Sequence, residues 1–141
     1  MAENNYHVRE FKTADFPALE YLWLETGLGE IERGDGLEVI VKTIRAGGLL
    51  LVLIVDDKLV GSSWMTQDGR RVYMHHFSIL PDYQGLGLSH MLMNTSLDWM
   101  RGVGLPIKLE VHESNEVARD LYLKYGFTEL NGYRVYMIRE L

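Results

Sequence analysis

Seven consecutive apolar residues, Leu49 to Val55, constrain the fold more than any other segment of the chain. The run is far shorter than the roughly 20 apolar residues of a membrane-spanning helix and is typical of a strand that is buried on both faces. A second apolar stretch, Leu59 to Met65, follows a short polar turn and ends at the hairpin signal Asp68-Gly69. A third run, Arg71 to Leu80, comes next. The three runs predict an antiparallel meander whose first strand is central or covered on both sides.

Helical periodicity flanks this meander. A first helix is predicted after Asp15, with Pro17 in its first turn and glycines at its end, and a second one is predicted before Gly47-Gly48. The longest helix begins at Leu88 and ends near Gly102, and a fourth one follows a cap at Ser114 or Asn115. The core-facing positions of the four helices are Phe16, Leu19, Leu22 and Trp23; Leu37, Ile40, Val41 and Ile44; Leu88, Met91, Leu92, Thr95 and Trp99; and Ala118, Leu121, Tyr122 and Tyr125.

Further strands are predicted at residues 6–11 and 107–111, and a closing hairpin is predicted at 127–130 and 133–138 around Asn131-Gly132. Together these patterns predict an α/β fold, in which a mixed, mostly antiparallel sheet of about six to seven strands is flanked by about four helices. At 141 residues the chain is long enough for one substantial core, so a single domain over residues 1–141 is expected.

Composition limits the function classes. The absence of cysteine excludes disulfides, thiolate metal sites and cysteine nucleophiles, and it fits a reducing cytoplasm. A formal net charge of −6 works against binding to nucleic acid and favours encounter with cationic small molecules or peptides. Residues 1–10 lack the basic segment and apolar run of an export signal, so a cytoplasmic chain without membrane insertion is expected.

The segment Phe77 to Ser89 predicts a strand that runs through glycines into a helix. Such a junction directs several backbone N–H groups at one point, and its small residues let an anion approach them. The start of the helix adds a partial positive charge, so a phosphate or pyrophosphate fits there. The alternative is an ordinary glycine turn. The segment lacks the Lys-Ser/Thr ending of a P-loop, and His90 stands where a dinucleotide fingerprint has its third glycine.

From these residues the chain resembles the GNAT superfamily of acetyltransferases, whose pyrophosphate loop has the pattern Gln/Arg-x-x-Gly-x-Gly/Ala. Gln84, Gly87 and Ser89 stand in those positions, with serine as a small departure at the last one. The segment from residue 109 to residue 127 meets every named position of a second pattern, Asn-x-x-Ala-x-x-Leu-Tyr-x-x-x-Gly-Phe after a strand. This second segment looks most like the ribosomal-protein alanine N-acetyltransferases.

The resemblance implies an enzyme that transfers acetyl from acetyl-CoA, its cosubstrate, to a primary amine, without a metal. The implied acceptor is a protein N-terminus or a small-molecule amine. Tyr122 is the implied general acid for the coenzyme A thiolate, with a core aromatic role as the alternative, and a homodimer is a further expectation. The implied cofactor-binding residues are Phe77, Ser78 and Ile79 for the acetyl carbonyl and pantetheine, Gln84, Gly85, Leu86, Gly87, Leu88 and Ser89 for the pyrophosphate, and Asn115 for the pantetheine arm.

The base that deprotonates the amine is left open. Many relatives place a carboxylate on the strand before the pyrophosphate loop, but residues 72–81 contain none. By resemblance Glu110, in its Leu-Glu-Val context, is the candidate base, and pairing with a nearby Arg or Lys is its alternative. His75 and His76 are expected to be structural, because adjacent strand residues face opposite ways and at most one reaches a given site.

The acidic stretch from Glu25 to Glu38 is expected either to attract a cationic amine or to be a solvated loop; its acidic residues are Glu25, Glu30, Glu32, Asp35 and Glu38. By resemblance, the connection between the first two helices borders the acceptor site. A function of a different class, a non-catalytic acyl-CoA-binding sensor or regulatory module, is the alternative to the enzyme.

Overall fold

The computed structural model describes residues 5–29 and 34–141, so Glu30, Glu32 and Arg33 of the acidic stretch lie outside the described residues. The chain divides into two compact units, residues 1–109 and 110–141, and each is described by itself. The first unit contains β1 (Tyr6–Glu10), α1 (Phe16–Glu25), α2 (Leu37–Arg45), β2 (Leu49–Val55), β3 (Lys58–Gln67), β4 (Val72–Ile79), α3 (Leu88–Val103) and β5 (Ile107–Leu109), and the second contains α4 (Glu116–Lys124).

The five described strands form one sheet in the order β1-β2-β3-β4-β5. β1 to β4 pair antiparallel, and β5 pairs parallel with β4, from Val72↔Ile107 to Met74↔Leu109. Every residue of β2 is buried, as the apolar run predicts. The predicted α/β fold with a mixed sheet and four helices is therefore confirmed.

Polar contacts identify the helices that cover each face of the sheet. Ser62 accepts a hydrogen bond from the indole of Trp23 in α1 at 2.9 Å, whereas its neighbour Ser63 accepts one from Ser96 in α3 at 2.8 Å. Because adjacent strand residues point to opposite faces, α1 and α3 lie on opposite sides of β3. Trp64 donates to Thr43 of α2 at 3.0 Å, which places α2 on the same face as α1.

In the second unit, Asn115 caps α4 by accepting a hydrogen bond from the backbone N–H of Ala118 at 3.2 Å. The predicted hairpin at 127–130 and 133–138 was wrong, because these residues form no strand. The side chains of Tyr133 and Tyr136 are 81% and 88% exposed. A two-stranded hairpin is marginal in water unless one face is buried, so the alternating pattern here does not suffice. The sheet accordingly has five strands rather than six to seven.

Within the described residues, no helix combines the length and the apolar character that a membrane crossing needs.

Gly48, which enters β2, tests the packing of α2 against the sheet. A Cβ at this position would lie 2.6 Å from the carbonyl oxygen of Met65 and 2.8 Å from that of Thr43, and neither backbone atom can turn away. We expect Gly48→Ala to lower the free energy of unfolding in urea by about 1–3 kcal/mol.

Gly102 in α3 is the control, because a Cβ there meets no atom within 4 Å. Gly102→Ala should leave the free energy of unfolding unchanged or raise it by up to about 1 kcal/mol. Equal unfolding midpoints for the two variants would contradict the close approach at Gly48.

Candidate active site

A β-bulge interrupts β4 just before its end. Ser62 of β3 is opposite Ser78, but Trp64 is opposite His75, so two residues of β4 stand against one residue of β3. His76, inside the bulge, has a φ of +45° in the left-handed region. The hydroxyl of Ser62 donates to the carbonyl oxygen of His76 at 2.7 Å and thereby satisfies a backbone group in the interrupted part of the ladder.

The bulge overturns the expectation that His75 and His76 face opposite ways. Both imidazoles lie against Trp64, with ring centroids 5.8 Å and 5.7 Å away. His76 also meets the ring of Trp23 edge-on at 4.6 Å. His75 is in contact with the hydroxyl of Thr66 at 2.8 Å. One extra residue therefore brings two adjacent histidines to the same face of the sheet.

His76 is hydrogen-bonded to a carboxylate of the acidic stretch. Its Nε2 lies 2.9 Å from Oδ1 of Asp35, which stands two residues before α2. The side chains keep 20% and 15% of their surface exposed. An imidazole bonded to a carboxylate through one nitrogen has a fixed tautomer, and its other nitrogen is a proton acceptor. The sequence alone predicts a structural role for His76 and gives no link between His76 and Asp35.

The ladder between β4 and β5 ends early. Its last pair is Met74↔Leu109, whereas β4 continues for five residues to Ile79. β5 therefore does not accompany the part of β4 that contains Phe77, Ser78 and Ile79. Ser78 is buried, and its hydroxyl lies 3.3 Å from that of Ser62. The pairing of β4 with β5 therefore ends before the segment that the resemblance implies for the acetyl carbonyl and pantetheine.

We call residues Gln84–Ser89 the glycine loop. Gly85 and Gly87 have φ values of +78° and +79°, and a Cβ at either position would meet no atom within 4 Å. Gly87 is the N-cap of α3, and the first four N–H groups of a helix have no carbonyl partner inside it. Left-handed glycines with open space beside them, next to these N–H groups, fit a phosphate or pyrophosphate.

Two side chains shape the approach to the glycine loop. Nε2 of Gln84 donates to the carbonyl oxygen of Ile79 at 2.8 Å and ties the loop to the end of β4. The ammonium of Lys58 lies 5.7 Å from the ring centroid of Tyr83, in the 3-10 turn that precedes the loop. Lys58 therefore adds a positive charge beside this turn. From the sequence, Lys58 is only part of the polar turn between two apolar runs.

The predicted residues of the second unit differ in their surroundings. Glu110 is exposed and follows β5, which ends at Leu109 rather than at Val111 as expected. The side chain of Asn115 is the N-cap of α4. Tyr122 packs edge-on against Phe127 at 5.6 Å between ring centroids. Loss of solvent raises the pKa of the Tyr122 phenol to about 12, so it stays protonated throughout the neutral range.

Among residues 5–29 and 34–141, no group of three or more His, Asp or Glu side chains is arranged to hold a metal ion.

Comparison with known proteins supports the fold. The ribosomal-protein-S18-alanine N-acetyltransferase of Escherichia coli superimposes with a TM-score of 0.77 at 21% identity, covering 90% of this chain and 80% of that one. The PaiA N-acetyltransferase of Thermoplasma acidophilum, in complex with coenzyme A, gives 0.76 at 19% identity, with coverages of 88% and 90%. Glucosamine-6-phosphate N-acetyltransferase of Arabidopsis thaliana gives 0.74 at 12% identity, with coverages of 94% and 98%.

At these identities the three structures share the fold with this chain. The sequence itself carries the stronger signal, since the model of the acetyltransferase (GNAT) family matches residues 8–127. That match includes the strand bulge, the glycine loop and α4. The chain belongs to the GNAT family of acetyltransferases.

Proposed function

We propose that the protein transfers the acetyl group of acetyl-CoA to a primary amine, either a protein N-terminus or a small molecule. The observation that carries this proposal is the glycine loop, where two left-handed glycines open the space in front of the α3 N-terminus. The family match runs through both units, which supports one acetyltransferase domain over residues 1–141. A relative of the same fold is in complex with coenzyme A.

In the proposed reaction, the neutral amine attacks the thioester carbonyl. A C–N bond forms, the C–S bond breaks, the amine loses a proton, and the thiolate gains one. Backbone N–H groups near Phe77 and Ile79 are proposed to stabilise the negative charge on the carbonyl oxygen, because preorganised donors act most strongly where charge develops. The amides of the glycine loop are proposed to hold the pyrophosphate, and Asn115 is proposed to contact the pantetheine arm.

We assign Tyr122 as the group that protonates the thiolate. A phenol with a pKa of about 12 is fully protonated at neutral pH and has a proton to give when the C–S bond breaks. Glu110, exposed at the start of the second unit, is one proposed base for the amine. The demand on the base depends on the acceptor, because an α-amino group of pKa about 7.8 is roughly a tenth neutral at pH 7 and a lysine amine of about 10.4 far less.

The first test combines binding with turnover. Calorimetry should show saturable binding of acetyl-CoA, and incubation with peptides and small amines should release free thiol and give products heavier by one acetyl group. Binding without turnover on any acceptor would favour a sensor module over an enzyme. Absence of binding would contradict both functions.

Gly87 tests the glycine loop against a matched position. Gly87→Ala and Gly69→Ala place a side chain at nearly the same φ, +79° and +81°, both with open space around the new Cβ. Each should cost about 1–2 kcal/mol of stability from the left-handed backbone. We expect Gly87→Ala, but not Gly69→Ala, to raise the Kd for acetyl-CoA in calorimetry at least about tenfold. The new side chain would keep the pyrophosphate away from the backbone amides, and a tenfold rise corresponds to about 1.4 kcal/mol of lost binding free energy. Equal Kd values for the two variants would exclude the loop as the pyrophosphate site.

Tyr122→Phe removes the proposed acid and keeps the ring that packs on Phe127. We expect kcat to fall about 100-fold with both substrates saturating, while the Kd for acetyl-CoA stays unchanged, because proton transfer to the leaving group contributes on this order. Tyr125→Phe, at the end of the same helix, is the control and should retain turnover. Full turnover in Tyr122→Phe would remove the role.

A further inference from the structure

We propose that His76, held by Asp35, accepts the proton of the acceptor amine, so that the His76–Asp35 pair is the base of the reaction. This inference rests on the proposed acetyl transfer and names a residue pair within the first unit that the sequence did not connect. His76 would be a catalytic residue, because it would touch the amine. Asp35 would be a positioning residue, because it acts through the imidazole.

The distance and atom pairing support a base. Nε2 of His76 lies 2.9 Å from Oδ1 of Asp35, so an ionised Asp35 fixes the tautomer in which Nε2 carries the proton. Nδ1 then has the lone pair and accepts a proton from the amine. The positive charge that develops on the ring is stabilised by the carboxylate. The proton ends on Nδ1, and the amine nitrogen keeps the electron pair that forms the C–N bond.

The position along β4 supports the same role. His76 immediately precedes Phe77, the first residue of the edge proposed to receive the acetyl group. Its φ of +45° is strained for a non-glycine residue, and such strain persists where the surroundings impose it. Here Ser62 holds the His76 carbonyl at 2.7 Å and Trp23 packs on its ring at 4.6 Å. The hydrogen bond restrains the backbone and the ring contact restrains the side chain, which remains 20% exposed.

Two buried tryptophan rings pack against His76. Trp23 and Trp64 are 2% and 5% exposed, and their ring centroids lie 4.6 Å and 5.7 Å from that of His76. This packing limits the orientations that the imidazole can adopt. Asp35 places a carboxylate next to the imidazole. Glu110, the base favoured by resemblance, is exposed and has no comparable partner among the contacts of residues 110–141.

The experiment uses His76→Gly and His76→Asn, because Gly and Asn tolerate the left-handed backbone better than other residues. Wild type, both variants, Asp35→Asn and Glu110→Gln are compared for acetyl-CoA affinity by calorimetry, for thermal unfolding, and for kcat with the acceptor that wild type acetylates. Free imidazole is then added to His76→Gly. A second acceptor of lower amine pKa is assayed in parallel.

If the pair is the base, His76→Asn lowers kcat at least about 100-fold and Asp35→Asn about tenfold, while the Kd for acetyl-CoA stays within twofold. Glu110→Gln tests the other proposed base and lowers kcat less than His76→Asn does. Imidazole restores turnover of His76→Gly in a saturable manner, and the loss shrinks with the less basic acceptor, which is already neutral to a larger extent. A merely structural His76 would show neither imidazole rescue nor this dependence on the acceptor.

Three results overturn the inference: turnover of His76→Asn equal to wild type, loss of turnover in Glu110→Gln alone, or loss in His76→Gly that imidazole does not restore. If His76→Asn unfolds, His76→Gly with imidazole and Asp35→Asn decide the question. Failure of the proposed function is distinguishable, because wild type itself would then neither bind acetyl-CoA nor acetylate any acceptor.

Discussion

The β-bulge at His76 is the feature on which the candidate site depends. A regular antiparallel pair of β3 and β4 would alternate side chains and point His75 and His76 to opposite faces. The extra residue in β4 shifts the register between Ser62↔Ser78 and Trp64↔His75, and both imidazoles meet Trp64. The bulge also falls just beyond the last β4–β5 pair, Met74↔Leu109, so register shift and strand separation occur in one short segment.

A single buried hydroxyl stabilises this irregularity. Ser62 donates to the carbonyl oxygen of His76 at 2.7 Å and accepts from the indole of Trp23 at 2.9 Å. Since an unsatisfied buried polar group costs about 1–3 kcal/mol, Ser62 offsets the loss of a ladder bond and links the bulge to α1. The left-handed φ of His76 costs about 1–2 kcal/mol more, which the packing of Trp23 and Trp64 around the ring must offset.

The sequence predicted the parts of the fold whose patterns are local. Each of these patterns predicts its element without information from the rest of the chain: the apolar run of β2, the glycines that end α1 and α2, and the Asn115 cap. The glycine loop is predicted by the spacing of its residues. The bulge was not predictable, because a non-glycine residue at positive φ is uncommon and the hydroxyl that stabilises the bulge belongs to Ser62, 14 residues away. The Asp35–His76 pair joins residues 41 positions apart. The predicted hairpin at 127–138 was wrong for the opposite reason: the local alternating pattern is present, but the exposed side chains have no surface to pack against.

Residues 72–81 contain no carboxylate, and the His76–Asp35 pair supplies one from elsewhere in the chain. In the proposed reaction the imidazole lies between the carboxylate and the substrate, so the segment before α2, which the resemblance places at the border of the acceptor site, would also take part in proton transfer. Substitutions near Asp35 that alter acceptor preference would then also alter the orientation of His76. In such a site the same segment affects acceptor binding and proton removal, so a substitution there changes kcat and KM together. A base carried entirely by the sheet would let acceptor binding and proton removal change independently.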